Sequence, residues 1–545
     1  MSRQEDHGGQ VDLALLGFRV RTLDGERPFA TAVAIRRGTI VAVGTDDEIK
    51  ASCGTATRVI TGPGAVVPGL VDSHSHVLSA GSFARGADLT TVHSLDQLHS
   101  ALATERERVG DSGWILGWGL EYNVFGDSPM SSDHVEDAVL GQPALLRTMD
   151  AHTGLANRAA LDLAGVHGPR EFEDGSEIVC RDGAPTGELR EMSAIALVAD
   201  VIPVPSSSES KAAAQEVLQR YVSHGVTCIH QMDGDDFTFK LAEELEHEGR
   251  LDLRLVISVW HKPETSPEET EAQLAMRDLH GKRWRGGVVK MFGDGVIDTG
   301  TGWLLEPDTR GGSLTPFWPE PARYSESVVR FSQAGFQVVT HATGDGAVRS
   351  ALDAYDRAGA KGPFRHRIEH IETLPDEELR RFAQEGVVAS MQPLHMQWRK
   401  PDGSDWWASL LGPERTSHAF RCLDLLMTGA IVPLGSDWPV AGLDPREGMA
   451  WARLRRTPGD DGFVFEPQQC LSGLQALHGY TTMPAAAVGE SLSSGRISPG
   501  LRADLTIFAE DPVDCDPDDL VDLPVLMTIV DGRVVWTAAE MAARL

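Results

Sequence analysis

Val66-Val67-Pro68-Gly69-Leu70-Val71-Asp72-Ser73-His74-Ser75-His76 is the stretch on which the reading of this chain turns. An apolar run ends in His-Ser-His. Side chains alternate faces along an extended strand, so His74 and His76 point the same way. Two imidazoles on one side of a strand end can share a divalent metal, and the C-terminal end of a parallel barrel strand is where catalysis sits. The pair alone does not decide the matter. With 19 histidines in 545 residues, about 0.7 His-x-His pairs arise by chance, and a surface histidine beside a hydrogen-bonded core histidine reads the same.

Outward from this stretch, the chain alternates strand and helix signals. Strands are expected at 66–71, 226–230, 253–259, 288–291, 336–341, 366–371, 387–391 and 430–435, with helices such as 211–224, 239–248, 325–334 and 376–384 between them. That alternation is the arithmetic of a (β/α)8 TIM barrel. A doubly wound sheet also alternates, but no Gly-x-Gly-x-x-Gly follows the first strand. The interval from about 80 to 205 is too long for one βα connection and holds its own strand signals at 114–118 and 144–147. It reads as an inserted α/β subdomain over the barrel mouth, with a hinge at 203–208. Hairpin patterns occupy both ends: 33–43 around Arg36-Arg37-Gly38, and 526–536 around Asp531-Gly532. The expected organisation is therefore a small β-sandwich built from 1–65 and 495–545, and a barrel over 66–494.

Bulk properties bound the function. Hydrophobic content of 41% and charged content of 24% are those of a globular protein. The formal net charge of −31 repels phosphate backbones and anionic membranes, so no nucleic-acid or membrane partner is expected. The six cysteines form no Cys-x-x-Cys pair, so neither a zinc knuckle nor a disulfide framework is indicated. Free thiols, a polar N-terminus from Met1 to Val11 and the lack of a membrane-length apolar run fit a cytoplasmic protein. A homodimer is left open.

Later strands also end in titratable residues. Lys290 lies in Val288-Val289-Lys290-Met291, His341 ends Val338-Val339-Thr340-His341, His370 closes Arg367-Ile368-Glu369-His370, and Asp437 follows Leu434-Gly435-Ser436. A charged or imidazole group at a buried strand end costs desolvation unless paired or metal-bound. One such residue is explained by an ion pair. His74, His76, Lys290, His341, His370 and Asp437 in barrel order point to a metal centre.

These motifs, with Asp294-Gly295-Val296-Ile297-Asp298-Thr299-Gly300, His341-Ala342-Thr343-Gly344-Asp345, Ser390-Met391-Gln392-Pro393 and Gly435-Ser436-Asp437-Trp438-Pro439, span nearly the whole chain. They resemble the amidohydrolase superfamily, in its amidohydrolase-3 branch of YtcJ-like and N-substituted formamide deformylase-like proteins. The insertion is similar in style, with Asp150-Ala151-His152 and Pro185-Thr186-Gly187-Glu188-Leu189-Arg190-Glu191. The resemblance implies that His74 and His76 bind one metal with Asp437. It implies that His341 and His370 bind a second, and that Lys290, carboxylated by carbon dioxide, bridges both. The alternative is a single metal on His74, His76, His341 and Asp437 beside a Lys290–Asp294 salt bridge. Nitrogen and carboxylate donors suit zinc, with iron, manganese and nickel as alternatives.

The implied mechanism is attack by metal-activated hydroxide. Asp437 is general base and then acid, and His370 or His395 steadies the oxyanion. His395 also reads as a surface or supporting residue. Asp345 either orients a ligand histidine or caps a helix.

The leading function is hydrolysis of a non-peptide C–N bond in a small amide, with an N-substituted formamide, split to formate and amine, as substrate. Deamination of an aminated heterocycle and hydrolysis of an N-acyl amino acid or cyclic amide are alternatives. A barrel that has lost its metal and become an interaction protein is the non-enzymatic one. Trp118, Tyr122, Trp303, Trp398, Trp406 and Trp407 are candidates to wall an aromatic pocket, or else core and rim packing.

Overall fold

The computed structural model of the chain describes residues 10–79, 84–111, 113–126, 128–149, 152–172, 175–359 and 365–542. The polar segment 1–9, together with Asp150 and Ala151 of the insertion motif, lies outside the described residues.

Seven strands form one parallel sheet, in chain order and in spatial order alike: β1 (Leu70–Ser75), β2 (Val226–Gln231), β3 (Arg254–Trp260), β4 (Trp284–Phe292), β5 (Gln337–Ala342), β6 (Arg367–His370) and β7 (Val388–Ser390). Both faces are covered, so the strands read as near-continuous Val/Ile runs. The sheet curls into a nearly closed barrel. The eighth expected strand, 430–435, is not a regular one. Single bridges join Leu434 to Met391 beside β7 and Trp438 to Ser75 of β1. Pro433 has no N–H to offer a ladder, although its carbonyl accepts from the Met391 amide at 3.0 Å. Gly435 is required by the close approach: a Cβ there would stand 2.6 Å from the His74 amide nitrogen.

Helices cover the barrel with amphipathic faces. Pro321–Gln333 starts on a proline in its first turn and buries Tyr324, Val328 and Phe331 at helical spacing. Fully burying Phe331 contributes about 2–3 kcal/mol, so truncation to alanine would cost about 3–5 kcal/mol.

The first strand differs from its expected position. The apolar run 66–71 is two strands. Ala65–Pro68 pairs with Leu13–Arg21 and Leu505–Phe508 in another sheet, and only Leu70–Ser75 enters the barrel. Gly69 makes the crossing possible, since a Cβ there would meet Thr227 Oγ1 at 2.3 Å.

Both termini build that second sheet, whose eight strands are hydrogen-bonded into one. It curls around a shared core of Leu15, Ile35, Ile507 and Ile529. Its last hairpin turns at Asp531 and Gly532, both at positive φ (53° and 68°), the conformation that favours Asp-Gly. Residues of the 80–205 interval form a six-stranded sheet from Ala87–Asp88 to Glu177–Arg181, packed on apolar clusters that include Leu98, Leu146 and Ile195.

Candidate active site

The barrel brings six expected residues to one cavity of about 570 Å³, including its open mouth: His74, His76, Lys290, His341, His370 and Asp437. Trp260, Phe292, Met232, Asp233, Met192 and His152 complete most of the wall. Asp437 is the hub. Its Oδ1 lies 3.1 Å from His76 Nε2 and 3.3 Å from His74 Nε2, and its Oδ2 lies 3.4 Å from His395 Nε2 and 3.9 Å from His370 Nδ1. Donor atoms of His74, His370 and Asp437 all fall within 4.8 Å of one another. His341 stands behind, its ring 4.4 Å from that of His370 and stacked on Phe292 at 4.6 Å.

The backbone is bent where these side chains enter. His370, Ile371 and Asp437 have φ of 75°, 50° and 60°. Such angles are costly for these residue types and persist only where surrounding structure over-determines them. At His370 the bend turns a side chain into the cavity that strict alternation would send outward.

Three of the imidazoles are held from behind. His74 Nδ1 meets Glu369 Oε2 at 2.6 Å, and His76 Nδ1 meets Asp233 Oδ1 at 2.7 Å. His341 Nε2 donates to the Gly295 carbonyl at 2.9 Å, which leaves Nδ1 as its lone-pair nitrogen. Asp294 receives the amides of Trp303, Thr343 and Gly344 at 2.8–3.0 Å and so anchors the loops around β4 and β5.

The electrostatics are those of a crowded site of buried groups. Burial lowers Lys290 to about 8, although Glu369 and Asp437 oppose it. Burial, and then neighbouring Lys290 and His341 respectively, hold His341 and His370 well below the usual imidazole range. Burial would raise Asp437, but His74 and the bonds from His74 and His76 hold it well below the carboxylate range. His76 is opposed by burial yet raised to about 9 by Asp233 and Asp437. Perturbed groups of both signs in one cavity mark a functional site.

The donor set fits a divalent cation. Ligand atoms about 2.0–2.2 Å from a tetrahedral zinc ion stand roughly 3.3 Å apart, and the His76–Asp437 and His74–Asp437 separations of 3.1 and 3.3 Å match that edge. The nitrogen-rich composition, with backing carboxylates on the far ring nitrogens, is one that a divalent transition metal accepts.

Other expectations are redistributed. His395 is buried beside Asp437, and its Nε2 has no hydrogen-bond partner among the described residues. Asp345 does not reach a site histidine; its carboxylate accepts the Leu305 amide at 2.8 Å. Of the aromatic candidates, Trp398 reaches the site, its ring 5.5 Å from His395. Trp407 is a core residue bonded to Glu372, Trp118 packs on Trp438, and Trp406 is 52% exposed. Tyr122 and Trp406 instead line a larger cleft between the insertion and the barrel loops. The aromatic wall of the metal cavity is Trp260 and Phe292, which the sequence reading missed. It also missed Glu369 and Asp233. His152 reaches the cavity from the insertion, its Nδ1 2.8 Å from Glu191 Oε2.

Comparison with known proteins agrees with this geometry. The model of the Amidohydrolase family matches residues 64–536. The chain is 29% identical to the putative amidohydrolase YtcJ of Bacillus subtilis (strain 168), over 94% of this chain and 97% of that one. It is 27% identical to the N-substituted formamide deformylase of Arthrobacter pascens, over 96% and 97%. It is also 29% identical to protein LONG AFTER FAR-RED 3 of Arabidopsis thaliana, over 96% and 92%. In fold it is similar to an uncharacterized metal-dependent hydrolase from Pyrococcus horikoshii, with a TM-score of 0.73 and 22% identity over 93% of this chain and 99% of that chain. The chain therefore belongs to the amidohydrolase family, in its amidohydrolase-3 branch, and is a hydrolase of C–N bonds.

Proposed function

We propose that the chain hydrolyses a non-peptide amide of a small molecule, with an N-substituted formamide, split to formate and an amine, as the leading substrate. The observation that carries this reading is Asp437, whose carboxylate meets His74, His76 and His395 at 3.1–3.4 Å in a cavity walled by Trp260 and Phe292. The similarity to the Arthrobacter pascens deformylase supports the choice of substrate.

His74, His76, His341, His370 and Asp437 are the residues that would hold one or two divalent ions, with zinc favoured by the donor types. Such an ion, when bound, polarises the amide carbonyl and acidifies water. Asp437 accepts the proton that water gives up as its oxygen bonds to the carbonyl carbon. It returns that proton to nitrogen as the C–N bond breaks. His395 Nε2 donates to the carbonyl oxygen as that atom takes on charge, with His370 on the same side of Asp437 as the alternative donor.

Lys290 carries a carbamate in this reading: its neutral amine bonds to the carbon of carbon dioxide and releases a proton. The result is an anionic oxygen ligand where an ammonium would repel a cation. Its burial, with a value lowered to about 8, supports this by making the neutral amine accessible near neutral pH. Native mass spectrometry would then find one carbon dioxide in addition on the metal-loaded chain, and two ions with an unmodified Lys290 would refute the bridge.

The same reading has residues 431–438 act as the eighth barrel strand, which the bonds on both sides support. It places the enzyme in the cytoplasm, acting on a small molecule without nucleic-acid or membrane partners. Among the described residues no helix is long and apolar enough to cross a membrane. The test is a hydrolysis screen of metal-replete protein against formamides, N-acyl amino acids, cyclic imides and aminated heterocycles. Turnover of formamides is expected. Turnover of aminated rings alone, with one ion per chain, would favour the deaminase.

A further inference from the structure

We propose that Arg367 and Glu369 are positioning residues that present His74 to the cation, and that the affinity of the chain for its metal depends on them. This inference rests on the reading of His74 as a metal ligand.

An arginine and a glutamate inside a barrel are expensive, because the interior of such barrels is normally filled by branched apolar side chains. Here both lie beneath the cavity, Arg367 at 1% exposure and Glu369 at 0%. Arg367 is gripped from four strands. Its Nε donates to Glu369 Oε1 at 2.9 Å on β6, one terminal nitrogen meets His230 Nδ1 at 2.9 Å on β2, and the other donates to the Ser73 carbonyl at 2.8 Å on β1 and to Ser390 Oγ at 3.1 Å on β7. A guanidinium used in so many directions has one available pose.

That pose fixes His74 by two routes. The bond to the Ser73 carbonyl holds the backbone immediately before His74. Glu369, bound to Arg367 through both carboxylate oxygens, presents Oε2 to His74 Nδ1 at 2.6 Å. An ionised carboxylate only accepts, so the proton must sit on Nδ1 and the lone pair on Nε2. Nε2 is the atom that faces Asp437 at 3.3 Å. Arg367 also cancels the charge of Glu369, so His74 is oriented without adding a net negative charge below the cavity. If the pair served only to brace the barrel, its loss would lower stability and leave metal affinity alone.

The experiment uses the full chain, stripped of metal and titrated with zinc against a chromophoric chelator, with thermal unfolding of the metal-free protein as the fold control. Glu369→Gln is expected to weaken zinc binding about 10–100-fold. Affinity within about twofold of wild type, at any thermal stability, overturns the proposal. If Glu369→Gln does not fold, the double variant Arg367→Met/Glu369→Gln, which leaves no uncompensated buried charge, is read by the same criterion. The ring-nitrogen chemical shifts of His74 in the zinc-loaded wild-type protein give a second readout that needs no variant. An Nδ1–H tautomer is expected, and an Nε2–H tautomer overturns the proposal. A wild-type chain that takes no cation overturns both this inference and the reading beneath it. A variant indistinguishable from wild type overturns the inference alone.

Discussion

The two ends of the barrel are built to opposite rules. At the C-terminal rim, imidazoles, a lysine and a carboxylate are crowded together, burial depresses Lys290 and His370, and His370 and Asp437 adopt left-handed backbone angles. At the other end, where the barrel meets the terminal sheet, charges are matched. Arg254 of β3 bonds Asp504 and Asp531, Arg283 bonds Asp531, and Arg285 and Arg502 share Glu490. One end holds electrostatic conflict that a metal can relieve; the other holds ion pairs that need nothing further. The comparison separates function from stability along one axis, as expected for a barrel whose catalysis sits at the strand C-termini.

The comparison can be broken at several points. The largest effect is expected at the rim. His74→Ala and Asp437→Asn should each lower turnover about 10³-fold or more, with Asp437→Asn retaining most of its metal. Full activity in either, measured with metal content on the same sample, would remove the rim from the chemistry. The opposite end should behave in reverse. Arg254→Met leaves Asp504 and Asp531 short of a partner and should cost about 3 kcal/mol in denaturant unfolding. Turnover of the folded variant should stay within about twofold of wild type, because the site is remote. A large kinetic effect would show that the ends are coupled.

A smaller effect sharpens the second rule. Burial would raise Asp531, but Arg254 and Arg283 hold its carboxyl below the ordinary value. A depressed carboxylate contributes stability above its unfolded value of about 3.9, and that stability is lost as pH falls through the lower folded value. Asp531→Asn keeps a residue that tolerates the positive φ of the turn. Its stability deficit against wild type should therefore be full at neutral pH and shrink below about pH 4. A deficit that does not change with pH would mean that the carboxylate charge is not what matters.

Much of this was legible from strand ends. An apolar run followed by a titratable residue located Lys290, His341, His370 and Asp437, and the structure brings all four to the cavity of His74 and His76. The same rule applied to Ile229-His230-Gln231-Met232-Asp233 would have pointed to Asp233, which backs His76. Glu369 was hidden for a physical reason. Alternation places it opposite His370, and only the positive φ at His370 lets neighbouring side chains both face inward. Unbroken apolarity concealed the division at Gly69, because both strands flanking it are buried. Spacing says nothing about which tryptophans face a cavity: Trp407 is in the core, and Trp260 lines the site.

The central claim is that this rim works by holding a cation, and chelation tests it most directly. Amide hydrolysis by the full chain should vanish on exhaustive removal of divalent metal and return in step with one to two equivalents of zinc per chain. Undiminished hydrolysis by protein shown to contain no metal would contradict the account.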